Sequence, residues 1–157
     1  MDGIDGAIRE LRNSIFHLRP QEAAALGLTR GLAELAREYE VNAVVKPELL
    51  LMPGLDHRVP GALVPDLLQV VREALSNAAR HADATTVRIA ASVDAGRLHL
   101  VVADDGAGFD TARVSTGRGL ANIAERVAAM GGRLELVSTT GEGTSVELDV
   151  PLEEDLP

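Results

Sequence analysis

The chain has 157 residues and a formal net charge of −9 at neutral pH, with no cysteine or tryptophan. Without cysteine there can be no disulfide, thiolate metal site or cysteine nucleophile. The acidic balance is the wrong sign for nonspecific nucleic-acid binding, so no nucleic-acid partner is expected. Hydrophobic residues make up 46% and charged residues 25%, values that suit one globular domain. With one Tyr and two Phe, its core has to be built from Leu, Val, Ile and Ala. No stretch approaches the roughly 18 apolar residues of a membrane span, and the start lacks a signal-peptide pattern. The expected compartment is therefore cytoplasmic, with no direct membrane insertion. A phosphate-rich small ligand stays open, provided backbone N–H groups or a metal ion meet its charge.

In chain order, Ile4, Ile8, Leu11, Ile15 and Leu18 fall at alternating four- and three-residue spacings, a helical a/d pattern that Pro20 ends. Either this helix packs on its own domain, or it is the end of a dimerisation hairpin. A second helix is expected over Thr29 to Tyr39, with Leu32, Leu35 and Ala36 inward. Val41 to Met52 is apolar and β-branched enough to predict a strand, and Pro53 to Pro60 a loop. Pro65 suits the first turn of a long helix. Val64, Leu67, Leu68, Val71, Leu75, Ala78 and Ala82 form its apolar side, opposite Asp66, Gln69, Glu73, Asn77 and Arg80.

Alternating residues then predict a hairpin, with Val87, Ile89, Ala91 and Val93 facing the core beside Leu98, Leu100 and Val102. Asp94, Ala95 and Gly96 form its turn. A further helix points Leu120, Ile123, Ala124, Val127 and Met130 inward and stops at Gly131-Gly132. A closing hairpin pairs Leu134 and Leu136 with Val146, Leu148 and Val150, before an acidic tail over 153–157. Hairpins demand antiparallel pairing. The expected fold class is thus α+β, a two-layer α/β sandwich with one mixed, mostly antiparallel sheet and its helices on one face.

Four short motifs carry chemistry. Glu73 and Asn77, followed by Arg80-His81, lie four apart, so a carboxylate and an amide oxygen share one helix face. One amide oxygen with substrate phosphates could hold Mg²⁺, a hard cation that retains several waters. In Asp104-Asp105-Gly106-Ala107-Gly108, strand alternation points Asp104 inward and Asp105 outward. An inward carboxylate needs donors or a ligand, because an unpaired buried charge is costly. An adenine amine is a suitable donor. Gly117-Arg118-Gly119-Leu120 opens a helix whose free N–H groups could meet phosphate. Gly141-Glu142-Gly143-Thr144 lies between two strands.

Together the stretches EALSNAARHA, DDGAGF, GRGLANIAERV and GEGTSVEL resemble, in order, the nucleotide-binding boxes of the superfamily joining DNA gyrase, the heat-shock chaperones, sensor histidine kinases and MutL ATPases. The resemblance runs from about Leu63 to Leu152. The short interval Phe109 to Thr116 looks like the compact lid of the nitrate- and desaturase-type sensor kinases, and LRNSIFHLRP resembles the end of their second dimerisation helix. This favours the hairpin reading of the N-terminus.

The resemblance implies a Bergerat-type ATP-binding fold over 21–152, preceded by the truncated end of a dimerisation helix over 1–20. It implies ATP and Mg²⁺ as cofactors. Asn77 would be the metal ligand and Glu73 the catalytic acid–base residue. Asp104 would bind adenine, supported by Thr144 and shaped by Gly106 and Gly108. Gly117, Gly119 and Leu120 would face the phosphates, Arg80 would be a further nucleotide-binding residue, and His81 would be structural or at the pocket's polar rim rather than catalytic. The implied partners are a histidine-bearing dimerisation domain of the same kinase, a response regulator, and a second copy in a homodimer. One departure stands out: the family's phosphoacceptor histidine precedes an acidic residue, whereas His17, His57, His81 and His99 precede Leu, Arg, Ala and Leu. The target histidine is therefore expected outside this chain, and isolated autophosphorylation is not expected. A serine kinase of the same fold, of the anti-sigma type, and a nucleotide-dependent interaction module are the alternatives.

Overall fold

The computed structural model describes residues 25–81, 84–108 and 118–152, without the side chains of His81 and Arg118. The expected helix over 1–20, Ala82, Gly117 and the tail over 153–157 lie outside the described residues. The first described helix, α1, spans Leu28–Ala43 and buries Leu28, Leu32, Leu35, Ala36 and Tyr39. It is longer than expected because Val41 to Ala43 continue the helix rather than start a strand. Val41 and Val44 are 68% and 88% exposed, so no sheet neighbour rewards their β propensity. Val44 closes the helix in the left-handed region (φ 59), its N–H bonded to the Glu40 carbonyl at 2.9 Å.

Strand β1 is only Glu48–Leu51, directly after Pro47, which lacks an N–H for any ladder. The expected loop that follows contains one helical turn, α2 (Leu55–Arg58), because Leu55 is buried there. Asp56 of this turn accepts the Thr29 N–H at 2.8 Å and so caps α1 from across the fold. A 3₁₀ turn, Gly61–Leu63, leads into the long helix α3, Val64–His81.

Strands β2 (Val87–Asp94) and β3 (Arg97–Asp104) form the first hairpin. Ala95 (φ 51) and Gly96 (φ 73) both take positive φ, the signature of a type I′ turn that matches strand twist. Helix α4 spans Arg118–Ala129, then β4 (Arg133–Thr139) and β5 (Gly143–Pro151) close the chain. The sheet order is β1-β2-β3-β5-β4, with β1–β2 parallel and the other pairs antiparallel. Leu134 opposes Leu148, and Leu136 opposes Val146, in the expected register.

One face of the sheet is buried. Val87, Ile89, Ala91, Val93, Leu98, Leu100, Val102, Val146, Leu148 and Val150 point to the helices, while the alternate positions stay accessible. Helix α3 is the middle helix, packed against both α1 and α4. It therefore buries Val70 and Ala74 in addition to the expected apolar stripe. Its polar side is not simply solvated, since Arg126 of α4 pairs with Asp66 at 2.9 Å. The narrower contact of α4 runs through Ile123, Val127 and Met130, with Leu120 half-buried; Ala124, expected inward, is exposed. No helix among the described residues is long and apolar enough to cross a membrane.

This division between faces sets a stability test. Leu100 is fully buried (0%), whereas Val137 on the open face is 50% exposed. Leu100→Ala should lower the unfolding free energy by about 2–5 kcal/mol in urea denaturation. Val137→Ala should stay within about 0.5 kcal/mol of the parent. Equal losses at the two positions would contradict a one-faced core.

Candidate nucleotide-binding site

Asp104 is the last residue of β3, and the alternation that buries Leu98, Leu100 and Val102 also turns its side chain inward. Here the apolar inner face ends in polar side chains. Asp104 pairs in register with Thr144 of β5, and Thr144 with Ser138 of β4. The hydroxyls of Ser138 and Thr144 lie 2.8 Å apart, and Ser138 donates to the Gly143 carbonyl at 3.2 Å. Three polar residues thus cross the sheet in a row. Ser138 has no motif of its own; only its register opposite Thr144 would have flagged it.

The Asp104 carboxylate accepts the Gly106 N–H at 2.8 Å. Partial burial pushes its pKa up, because desolvation disfavours the charged form. The N–H groups of Gly106 and Thr144 oppose that rise, and the charge of Asp105 adds to it. The result is a carboxyl held above its ordinary value beside an otherwise apolar interior. The buried phenol of Tyr39 is also raised, by desolvation first and then by the field of Asp104.

Asp105 faces the other way, as alternation requires. It accepts the N–H groups of Thr85 and Thr86, each at 2.8 Å, and the Thr85 hydroxyl at 2.5 Å. These donors hold its carboxyl at about 2. Neither threonine stands out in the sequence, because nothing in their spacing points to a partner some twenty residues on.

The glycines are explained by close packing. Gly108 (φ 63) runs against the Thr139 and Gly143 carbonyls, and Gly143 (φ 94) against the Asp104 carbonyl, so a Cβ at either position would overlap backbone. The Gly141 N–H donates to the Ala107 carbonyl at 2.6 Å. The β4–β5 turn is therefore the floor of the Asp105–Gly108 loop, and Gly143 matters as much as Thr144.

A second group forms on the helices. Asn77 Oδ1 accepts from Arg80 Nη2 at 2.7 Å. A Cβ on Gly119, near the start of α4, would lie 3.2 Å from Glu73 Oε2 and 3.3 Å from Asn77 Oδ1. Glu73, Asn77, Arg80 and Gly119 are thus together, as Asp104, Gly106, Gly108 and Thr144 are at the sheet end. Both groups lie at the same end of the fold, since α3 ends at His81 and the chain returns at Val87, which pairs with Asp104. Leu120 packs against the hydrophobic core. A cavity of about 350 Å³ opens on the opposite flank of α3, between Tyr39, Ala43, Ala78 and Ala79, and holds none of the predicted site residues.

The donor chemistry fits a nucleotide. A half-buried carboxylate suits an exocyclic amine, and α4 opens without an acidic residue in its first turn, leaving that end to an anion. No group of three His, Asp or Glu side chains able to hold a metal occurs among the described residues. Oxygen donors as sparse as Asn77 and Glu73 fit a cation shared with phosphates, not a protein-only cage.

An inward carboxylate at a strand end, glycine-lined loops and an acid–amide pair on the middle helix of a two-layer sandwich suit the ATP-binding fold expected from the sequence. The chain belongs to the family described as "Histidine kinase-, DNA gyrase B-, and HSP90-like ATPase", whose model matches residues 63–154. Among curated proteins it is similar to the sensor histidine kinase LiaS of Bacillus subtilis, 33% identical over 93% of this chain and 40% of that protein. It is also similar to the sensor histidine kinase NarS of Mycobacterium tuberculosis, 33% identical over 96% of this chain and 35% of that protein. The chain therefore spans well under half the length of these relatives. Among solved structures, the blue-light activated histidine kinase EL346 of Erythrobacter litoralis matches with a TM-score of 0.70 and 26% identity, over 82% of this chain and 43% of that one. The expected family and fold class are both found, and the domain is a histidine-kinase-type catalytic ATP-binding domain.

The two neighbouring aspartates should separate on titration. Carboxyl-detected NMR should find Asp104 above, and Asp105 well below, the ordinary 3.8. By linkage, a depressed carboxyl stabilises the fold above its unfolded value, and that contribution is lost as pH falls from 3.8 toward about 2. Asp104 works in the opposite sense, since its ionisation costs folding energy as pH rises through its raised value. Reversed midpoints would refute the assigned environments. Gly143→Ala should cost more than about 1 kcal/mol of stability, from backbone strain and overlap with Asp104, read by thermal or urea unfolding.

Proposed function

We propose that this domain binds Mg·ATP and transfers the γ-phosphate to a histidine on the dimerisation helices of a two-component sensor kinase. The observation that carries the reading is the half-buried Asp104 carboxyl, held inward by the Gly106 and Thr144 N–H groups. A carboxylate there gains an adenine amine as a donor that water reaches poorly, and a charge-assisted hydrogen bond offsets its desolvation. Gly106 and Gly108 let the backbone pass close to the base, with Thr144 beside it. Gly119 and the N–H groups opening α4 face the phosphates beside Arg80, and the resemblance gives Gly117 and His81 a part in the same site.

A bound Mg²⁺ would neutralise charge developing on the phosphates. Asn77 would supply one oxygen ligand for it, through the same Oδ1 that accepts from the Arg80 guanidinium at 2.7 Å. Glu73, on the same helix face, assists removal of the proton from the attacking imidazole. The remaining requirement is in-line placement of the nucleophile, which a dimerisation domain provides. We further propose that the intact protein is a homodimer that passes its phosphoryl group to a response regulator, and that the domain works in the cytoplasm. Matches to sensor histidine kinases over more than 90% of this chain support the histidine reading over a serine kinase.

Incubation with a separate dimerisation domain and labelled ATP tests the transfer. Acid-labile label on histidine is expected; acid-stable label on serine, or binding without transfer, would overturn the reading. In calorimetry, Asp104→Asn should weaken ATP binding by about 1–3 kcal/mol, the worth of one charge-assisted hydrogen bond. Asn77→Ala should abolish the magnesium dependence of binding, and unchanged magnesium sensitivity would contradict the metal role.

A further inference from the structure

The contacts of Asp105 go beyond what a turn residue needs. After α3 the chain returns at Thr85 and Thr86 to start β2, and the last ladder rung there is Val87 opposite Asp104. The Asp105 N–H extends this ladder by one bond to the Thr86 carbonyl, at 3.3 Å. Its side chain then takes two backbone N–H groups and one hydroxyl from Thr85 and Thr86. One carboxylate thus clasps the entry to β2 onto the exit from β3, immediately beside the proposed adenine residue.

Terminal rungs fray more readily than central ones. Asp104 also has a reason to leave, because desolvation disfavours its charged form. If the last rung opened, rotation toward water would relieve that cost and remove the acceptor from the pocket. On the β5 side the Asp105–Gly108 loop is already held by the Gly141 N–H and by the tight passage of Gly143. On the β2 side it is held by the single backbone bond from the Asp105 N–H to Thr86 and by the clasp.

We infer that Asp105 is a positioning residue for nucleotide binding: by tying Thr85 and Thr86 to the end of β3, it keeps the Asp104 carboxylate turned inward at the adenine end of the site. The inference rests on the ATP-binding reading given above. It concerns the base, not the phosphates, so adenosine and ATP should respond alike.

The test compares Asp105→Ala with Asp105→Asn on the whole chain, by calorimetric titration of adenosine and Mg·ATP at a temperature where circular dichroism shows each variant folded. The asparagine keeps an oxygen for the two N–H groups and loses the charge; the alanine loses both. Asp105→Ala should raise both dissociation constants by the same factor, about tenfold, as outer-shell partners of binding sites do. Asp105→Asn should recover most of the loss. Carboxyl NMR of Asp104 gives a readout that mere loss of stability would not move. Its raised titration should fall further toward 3.8 in the alanine variant than in the asparagine one, where the neighbouring charge is equally absent. Thr85→Val, which removes one exposed hydroxyl, should weaken adenosine in the same direction by less, and decides the matter if the alanine variant does not fold. Parent-like adenosine affinity in a folded Asp105→Ala, or in Thr85→Val if only that folds, would overturn the inference while leaving ATP binding intact. An unmutated domain that binds no nucleotide would overturn the ATP reading itself.

Discussion

A carboxylate kept partly out of water at the end of an otherwise apolar sheet face is the constraint around which this domain is arranged. Asp104 continues the inward row of Leu98, Leu100 and Val102, so the alternation that builds the core also commits a charge to it. Desolvation raises its pKa, and the backbone N–H groups of Gly106 and Thr144 resist that rise. Much of the surrounding structure bears on holding it there. Thr144 and Ser138 continue the polar row across β5 and β4, the Gly143 backbone passes against its carbonyl, and Asp105 fastens the neighbouring strand. An arrangement that tolerates an expensive group is one that a ligand can reward.

Helix α3 supplies the second half of the site because it lies in the middle of the helical layer. Its lower face enters the core through Leu67, Leu68, Val71 and Leu75. One flank meets α1 and the cavity beside Tyr39, and the other presents Glu73 and Asn77 to the start of α4. A Cβ on Gly119 would press lightly on the ends of both polar side chains, which would have to shift by a few tenths of an ångström. Packing and chemistry are thus joined at one position. The Asp66–Arg126 pair bridges the same two helices further along; each side chain is 42% exposed, so it adds little stability and mainly orients them.

Much of this was legible in the residues. The two hairpins, the alternation that turns Asp104 inward and Asp105 outward, and the four glycine-rich or acidic motifs follow from periods of two and 3.6 and from turn chemistry. What failed did so for local reasons. Val41 and Val44 favour strands but have no strand to pair with, so the preceding helix keeps Val41 and ends on Val44. Leu55 found a buried place and nucleated one helical turn within PGLDHRVP. Ala124 lies at the rim of a contact strip too narrow to include it.

The order of chemical groups along the chain is a property of the sequence alone: which residues alternate, where glycine permits positive φ, and which acids and amides share a helix face. Those rules act over a few residues, through steric limits and side-chain direction. Partners separated by tens of residues obey no such rule. That Asp56 caps α1, that Thr85 and Thr86 receive Asp105, that Gly143 must pass the Asp104 carbonyl, and that Gly119 of α4 lies beside Glu73 and Asn77 were decided only when the layers packed. The physical reason is that burial and hydrogen-bond satisfaction are settled by whichever surfaces meet, and the sheet order β1-β2-β3-β5-β4 determines which ones do.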